Sequence, residues 1–266
     1  MERHDPPHDL ARLRAARAGA AIGHTILDFP SVDSTNRVLR DAARAGAPHG
    51  LVALAEEQTA GRGRQGRSWV APHGAALLCS VLLRPTTGAQ MPMLAGLALC
   101  DAVEHTTGLA ARLKWPNDLV LAQAGVWRKA AGILCEGGGA AHEPWVVVGM
   151  GINVHRAPAS QIDGRDLAVH ATCLAAAAGA PVSRDDLLLA LLDALDDWLL
   201  APALLPAWRA RLQTLGLHVA AVGPTATLHG IAEDIDASGA LLLRDAHDVL
   251  HRIDTADVRL YSDRPS

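Results

Sequence analysis

Gly61-Arg62-Gly63-Arg64-Gln65-Gly66-Arg67, with Trp69 two residues beyond, puts three guanidinium groups on a backbone broken by three glycines. Such a segment has little to bury and much entropy to lose, so it is expected to be mobile until a polyanion orders it. Arginine forks match phosphate and carboxylate oxygens. The glycines let backbone N–H groups approach an anion closely. Alone, the run is compatible with a nucleotide-phosphate loop, an RNA-binding patch or a solvated loop.

Composition narrows that choice. The 266 residues include 24 Lys and Arg against 28 Asp and Glu, a net charge of −4, so binding of polyanions by the whole surface is disfavoured and any phosphate site is local. Aromatic residues are 3% of the chain, which leaves Ala, Leu and Val to fill the core and gives few stacking platforms for RNA. The length suits one large domain or a main domain plus a small one. Cys79, Cys100, Cys135 and Cys173 are widely spaced without a C-x-x-C pair, and read as free thiols of a reducing cytosol. No H-E-x-x-H occurs among the histidines. Met1 to Arg17 has no apolar signal-peptide region, and no apolar run reaches membrane-spanning length. The expectation is a soluble, cytoplasmic protein without a membrane partner.

Outward from the arginine run, Ile22–Phe29 and Leu51–Ala55 read as strands flanking a helix that Ser34 or its neighbours cap and Gly46 ends. Ala76–Leu83 reads as a buried strand and Met93–His105 as a helix. Arg112–Trp115, Leu119–Leu121, Trp127–Glu136 and Trp145–Asn153 read as further strands, with Ala122–Val126 a slightly long turn. Gly137-Gly138-Gly139 suits an antiparallel hairpin. Ser183 caps a helix rich in leucine, and Ala203–Leu215 reads as another. After Leu217, Thr225–Ile235, Ala240–Leu243 and Val249–Ile253 are short strands broken by Gly and Asp turns. The expected architecture is α+β. A tail (1–21), or a small packing helix from Leu10 to Ala21, precedes a main domain with a mixed or antiparallel sheet (22–216). A small all-β domain follows (217–266).

Four more segments carry chemistry. In Lys114-Trp115-Pro116-Asn117-Asp118 the proline ends a strand and exposes Asn117 and Asp118, either for a metal or polar ligand or as an Asx turn. In Arg128-Lys129-Ala130-Ala131-Gly132-Ile133-Leu134, Lys129 either meets an anionic reacting centre or is an edge lysine with its head in water. Gly149-Met150-Gly151-Ile152-Asn153 lacks the third glycine and following helix of a dinucleotide fingerprint; its glycines suggest a flat floor for a ligand. Asp33-Ser34-Thr35-Asn36 offers hydroxyls to a ligand, a helix cap or both.

The order S-T-N, E-Q-T-A-G-R-G-R-x-G-R-x-W, K-W-P-N-D, R-K-x-x-G-I-L and G-x-G-x-N closely resembles the biotin protein ligases, from Ile22 to about Tyr261. Gly230–Asp236 followed by Gly239-Ala240-Leu241 resembles their SH3-like C-terminal domain. The resemblance implies a class II synthetase-like (biotin/lipoate ligase-like) catalytic fold. It also implies formation of biotinyl-5′-AMP from biotin and ATP with Mg2+, then transfer to one lysine of the biotin carboxyl carrier domain of acetyl-CoA carboxylase. It places Ser34, Thr35, Asn36, Gln58, Arg62, Gly63, Arg64 and Lys129 around biotin. Around the nucleotide it places Arg62, Arg64, Arg67, Trp69, Asn117 and Asn153, with Asp118 as a metal ligand. Lys129 and Arg64 are the implied catalytic pair. Only 33 residues precede the S-T-N segment, so no sequence-specific DNA binding is expected, and the resemblance leaves a monomer or weak homodimer. Ala130 is smaller than the apolar residue usual after the lysine. A lipoate or octanoate ligase, a non-enzymatic biotin-binding protein and an RNA-binding protein are the competing classes; the intact arginine loop and K-W-P-N-D disfavour the first.

Overall fold

The computed structural model describes residues 7–84, 90–140, 142–158, 161–162, 165–166, 170–223 and 226–260. Its main sheet is mixed, as expected, and runs β1-β2-β3-β7-β6-β5-β4. The strands are β1 (Ile26–Phe29), β2 (Val52–Ala55), β3 (Ala76–Leu83), β4 (Ala111–Lys114), β5 (Asp118–Gln123), β6 (Val126–Gly138) and β7 (Trp145–Asn153). The β1–β2 pair is parallel and all other neighbours are antiparallel. A two-residue pair, β8 (Gln161–Ile162) and β9 (Arg165–Asp166), stands apart.

Both faces of the central strands are covered, which explains why β3 reads as an unbroken apolar run rather than an alternating one. Val81, Leu83, Val146 and Val148 join the large cluster containing helix α3 (Met91–Thr107), whereas Leu82 and Val147 join the smaller cluster of α2 (Thr35–Arg44). Helix α3 is buried on most of its circumference because α5 (Arg184–Leu199) packs on its outer side. Pro92 occupies its first turn, where a missing N–H costs nothing, so the helix starts before Met93. The Ser183 cap is present, its Oγ accepting from Asp186 N at 3.1 Å. Ser34 makes no side-chain cap; the first N–H of α2, on Thr35, donates instead to Gln58 Oε1 at 2.8 Å.

Several expected boundaries move. Only Ile26–Phe29 of the first expected strand is extended. The expected helix at Ala203–Leu215 shrinks to α6 (Leu205–Arg211), since Leu212 is extended and bridges Leu113. The expected long turn at Ala122–Val126 is a two-residue hairpin, with Gln123 paired to Val126. A short helix, α4 (Leu174–Ala178), was not expected.

The C-terminal strands β10 (His218–Val222), β11 (Thr227–Ile235), β12 (Leu241–Arg244), β13 (Leu250–Ile253) and β14 (Asp257–Leu260) form one antiparallel sheet in the order β13-β12-β11-β10-β14. Thr225 and Tyr261, at the ends of the expected stretches, lie outside the described residues. No helix among those residues is long and apolar enough to cross a membrane.

Near the N-terminus, α1 (Leu10–Ala16) is capped by Asp9 and buries Leu13. Arg17, 4% exposed, donates to Ile22 O and pairs with Asp193 and Asp196 of α5. His8 Nδ1 lies 2.5 Å from Asp185 Oδ1. Next to it, Arg184 bonds both carboxylate oxygens of the buried Glu56, at 2.6 and 3.2 Å. This fork clamps the end of β2, just before the arginine run, to the start of α5. Arg184→Ala leaves the Glu56 charge buried without its guanidinium, and is expected to lower unfolding free energy in urea by about 3–5 kcal/mol. Replacing both residues by leucine is expected to lose less.

Candidate active site

The central feature is a fault in the alternation of β6. Asp118 pairs with Gly132 and Leu119 with Ala131, but Val120 pairs with Lys129, so Ala130 is an extra residue in the strand. Such a bulge re-aims every side chain beyond it. Ala130 and Ala131 are both fully buried, and Lys129 emerges on the same face as Gly132. The small Ala130 thus fits the inward side of the bulge. Lys129 Nζ sits 2.6 Å from Asp118 Oδ1 and 5.6 Å from the centre of the Trp69 ring.

The glycines of β6 and β7 make the expected floor, but protein side chains lie on it. A Cβ at Gly151 would fall 2.4 Å from Trp69 Cε2, and one at Gly132 would fall 3.1 Å from Trp69 Cζ3. The indole therefore rests flat across both strands. At Gly149 a Cβ would fall 2.0 Å from Asn36 Oδ1.

Asn36 is committed on every side. Its Oδ1 accepts from Ser80 Oγ at 2.6 Å, and its Nδ2 donates to Glu136 Oε2 at 2.8 Å and Leu134 O at 3.2 Å. The Thr35 hydroxyl lies 2.7 Å from Ser80 Oγ and 3.2 Å from Gln58 Oε1. Ser34, Thr35 and Asn36 are all buried, with Gln58 tied to Thr35. This set forms one polar wall beside the glycine floor.

The arginine run is folded as a closed hairpin, in contrast to the expected loose segment. Gly63 N donates to Arg67 O at 2.7 Å and Trp69 N to Gly61 O at 2.9 Å, while Gln65 (φ 56°) and Gly66 (φ 73°) make the left-handed turn. Each arginine has its own partner. Arg62 lies 3.4 Å from both oxygens of Glu136, which also pairs with Arg40 at 2.6 Å. Arg64 donates to Asn117 Oδ1 at 3.4 Å and to Thr255 Oγ1 of the C-terminal sheet. Burial pulls the Arg64 guanidinium below its ordinary pKa. Arg67 lies 3.3 Å from Asp257 Oδ1, also in that sheet.

The structure thus divides the sequence-predicted residues. Ser34, Thr35, Asn36, Gln58 and Arg62 gather at one side of the floor; Lys129, Asp118 and Trp69 gather over it. Arg64, Arg67 and Asn117 lie toward the seam with the C-terminal domain. A cavity of about 220 Å³ opens at that seam, lined among others by Arg64, Trp115, Asn117, Cys135, Gly239 and Asp254. Asn153 donates to Thr172 O at 3.0 Å, but its Oδ1 is buried with no partner among the described residues, and so is Trp69 Nε1. Buried polar atoms are normally satisfied, so these two suit a bound polar heterocycle. Glu136, Thr255 and Asp257 escaped the sequence reading: they are ordinary strand or turn residues until the fold sets them against arginines. Among the described residues no group of three or more His, Cys, Asp or Glu is placed to hold a metal, and Asp118 is engaged with Lys129. Burial pushes the Cys79 and Cys100 thiols up to about 12, which removes them as nucleophiles.

Two family matches agree with this layout. Residues 29–153 match the biotin/lipoate A/B protein ligase family, and residues 214–261 match the biotin protein ligase C-terminal domain. The chain is 38% identical over 254 residues to the biotin--[acetyl-CoA-carboxylase] ligase of Mycobacterium tuberculosis, covering 90% of each chain. It is 41% identical over 206 residues to the ligase of the same name from Paracoccus denitrificans, covering 72% of this chain and 82% of that one. Among solved structures, the biotin protein ligase of Aquifex aeolicus in complex with biotin and ATP superposes with a TM-score of 0.73 at 26% identity, covering 89% of this chain and 98% of that one. The chain belongs to the biotin protein ligases, within the wider biotin/lipoate ligase family.

Gly149→Ala must displace Asn36 from its three partners. A loss of about 1–3 kcal/mol in unfolding free energy is expected, as for other overpacked sites, and is read from denaturant midpoints.

Proposed function

We propose that this biotin ligase, an ATP-dependent enzyme, joins its two anionic substrates over the Lys129–Trp69 floor and then delivers biotin to a lysine of a carboxyl carrier domain. The observation that carries this is the bulge at Ala130, which turns Lys129 onto the ligand face beside Asp118 and the indole. A carboxylate attacking a phosphate needs its repulsion offset by fixed positive charge. Here the biotin carboxylate oxygen bonds to the ATP α-phosphorus and pyrophosphate leaves. The amine of the acceptor lysine, having lost a proton, then bonds to the acyl carbon, and AMP leaves.

Lys129 is assigned to the charge that develops between carboxylate and α-phosphate, exchanging its Asp118 partner for the substrates. Ser34, Thr35, Gln58, Arg62 and Gly63 are assigned to the biotin end, with Asn36 shaping that wall. Trp69 and Asn153 are assigned to the adenine end, where the unpartnered Asn153 Oδ1 suits an amino donor. Arg64, Arg67 and Asn117 are assigned to the phosphates. Mg2+ fits as a companion of ATP rather than a resident ion: the single carboxylate of Asp118 with phosphate oxygens and water suits its octahedral chemistry. There the ion supplies neutralisation of phosphate charge. The assigned partner is the carrier domain of acetyl-CoA carboxylase, and the assigned compartment is the cytoplasm.

Exchange of labelled pyrophosphate into ATP tests the reading: it is expected with biotin and not with lipoate, and biotin-independent or lipoate-dependent exchange would reject it. Lys129→Gln is expected to slow the exchange on the order of 10²–10³-fold. The arginine hairpin also shields the mixed anhydride from water. Arg64→Gly is therefore expected to release biotinyl-AMP into solution, measured by filtration and chromatography. Protease cleavage within Gly61–Arg67 is expected to slow when biotin and ATP are added; an unchanged rate would count against closure.

A further inference from the structure

We infer that Trp127, near the tip of the β5–β6 hairpin, is a docking anchor for the carrier domain whose lysine is modified. This rests on the ligase reading and names where its protein substrate is held. Trp127 is 36% exposed, a large side chain open to solvent near the strand tip.

Its position selects the occupant. Trp127 and Lys129 are two positions apart with no irregularity between them: Ala122 pairs with Trp127, Leu121 with Arg128 and Val120 with Lys129. Side chains two apart on a strand share a face, about 7 Å apart along it. The bulge that turns Lys129 toward the reacting centre therefore turns Trp127 to the same side. A lysine stem is only four carbons long, so the backbone presenting the acceptor amine must come within one side-chain length of the acyl group. A folded domain brought that close to Lys129 lands on Trp127. A small molecule held at Lys129 has no need to reach it.

The tip is also rigid. Ala124 (φ 50°) and Gly125 (φ 78°) close a two-residue turn between Gln123 and Val126. Both are left-handed, as the tight hairpin requires, although Ala124 is not a residue that favours this conformation. Gln123 is held from the side by the Thr172 hydroxyl at 3.1 Å. A fixed tryptophan loses little entropy on binding and is a frequent centre of interface energy.

The test separates the half-reactions. With a purified biotin carboxyl carrier domain as acceptor, Trp127→Ala and Val126→Ser are each compared with the wild-type chain. Trp127→Ala is expected to raise KM for the carrier about tenfold. Biotin-dependent pyrophosphate exchange and biotinyl transfer to hydroxylamine are expected to stay within twofold. Val126→Ser, on the opposite face of the strand, is expected to leave the same KM within twofold, and Trp127→Phe to recover most of the loss. An unchanged carrier KM in Trp127→Ala overturns the anchor while leaving the ligase reading intact. A parallel fall in exchange also overturns it, because the residue would then serve the fold or the first half-reaction. No biotin-dependent exchange in the wild-type chain would remove the ligase reading, and the anchor with it.

Discussion

Positive charges gathered in one place repel each other as strongly as they attract a ligand, and this protein answers each of its own. Lys129 faces Asp118, Arg62 faces Glu136, Arg67 faces Asp257, and Arg64 is held by the neutral oxygens of Asn117 and Thr255. These pairs are half-exposed, so each contributes little to stability. Their value lies in placement: a substrate anion that displaces a carboxylate finds the cation already positioned, and reorganisation of the site is reduced. Arg64 is the exception in kind, since its partners carry no charge and burial already strains its protonated form. It has the most to gain from an anion.

These counter-charges come from separate parts of the fold. Asp118 and Glu136 belong to the main sheet, whereas Asp257 belongs to the C-terminal one and Thr255 to the turn between its strands β13 and β14. Trp115 Nε1 also donates to Gly239 O across the seam, at 2.9 Å. The arginine hairpin is thus shared by both domains. At its other end it follows β2, which the Glu56–Arg184 fork ties to α5. A loop of glycines has no core of its own, so its shape is borrowed from neighbours on three sides.

Much of this was legible in the residues. The strands of the main sheet, the Ser183 cap, the antiparallel pairing of β6 with β7 and the all-β C-terminal segment follow from apolar periodicity and turn chemistry, which are local, although Gly137 and Gly138, expected in the turn, are paired within β6. What escaped was non-local. The helix α2 takes its cap from Gln58 rather than Ser34, because a partner distant in sequence outcompeted the nearby hydroxyl. The glycine floor was readable as a close approach, but not which group approaches; Trp69 and Asn36 lie where a ligand was expected. The helix at Ala203–Leu215 ended early because Leu212 found a strand partner in Leu113. Glu136 and Asp257 carry no motif at all and acquire meaning only opposite an arginine.

The bulge at Ala130 gives β6 two phases. From Ala131 onward, odd-numbered residues point into the core; before Ala130, odd-numbered residues point out of it. Drift by whole substitutions leaves that parity intact, however far the sequence wanders. Pairing the same residues without the bulge would send Lys129 into the hydrocarbon interior and bring Arg128 to the reacting face, whereas loss of Ala130 would leave Lys129 beside Ala131 and still outward in a regular strand, so the pairing fault is what suits a chain of this length.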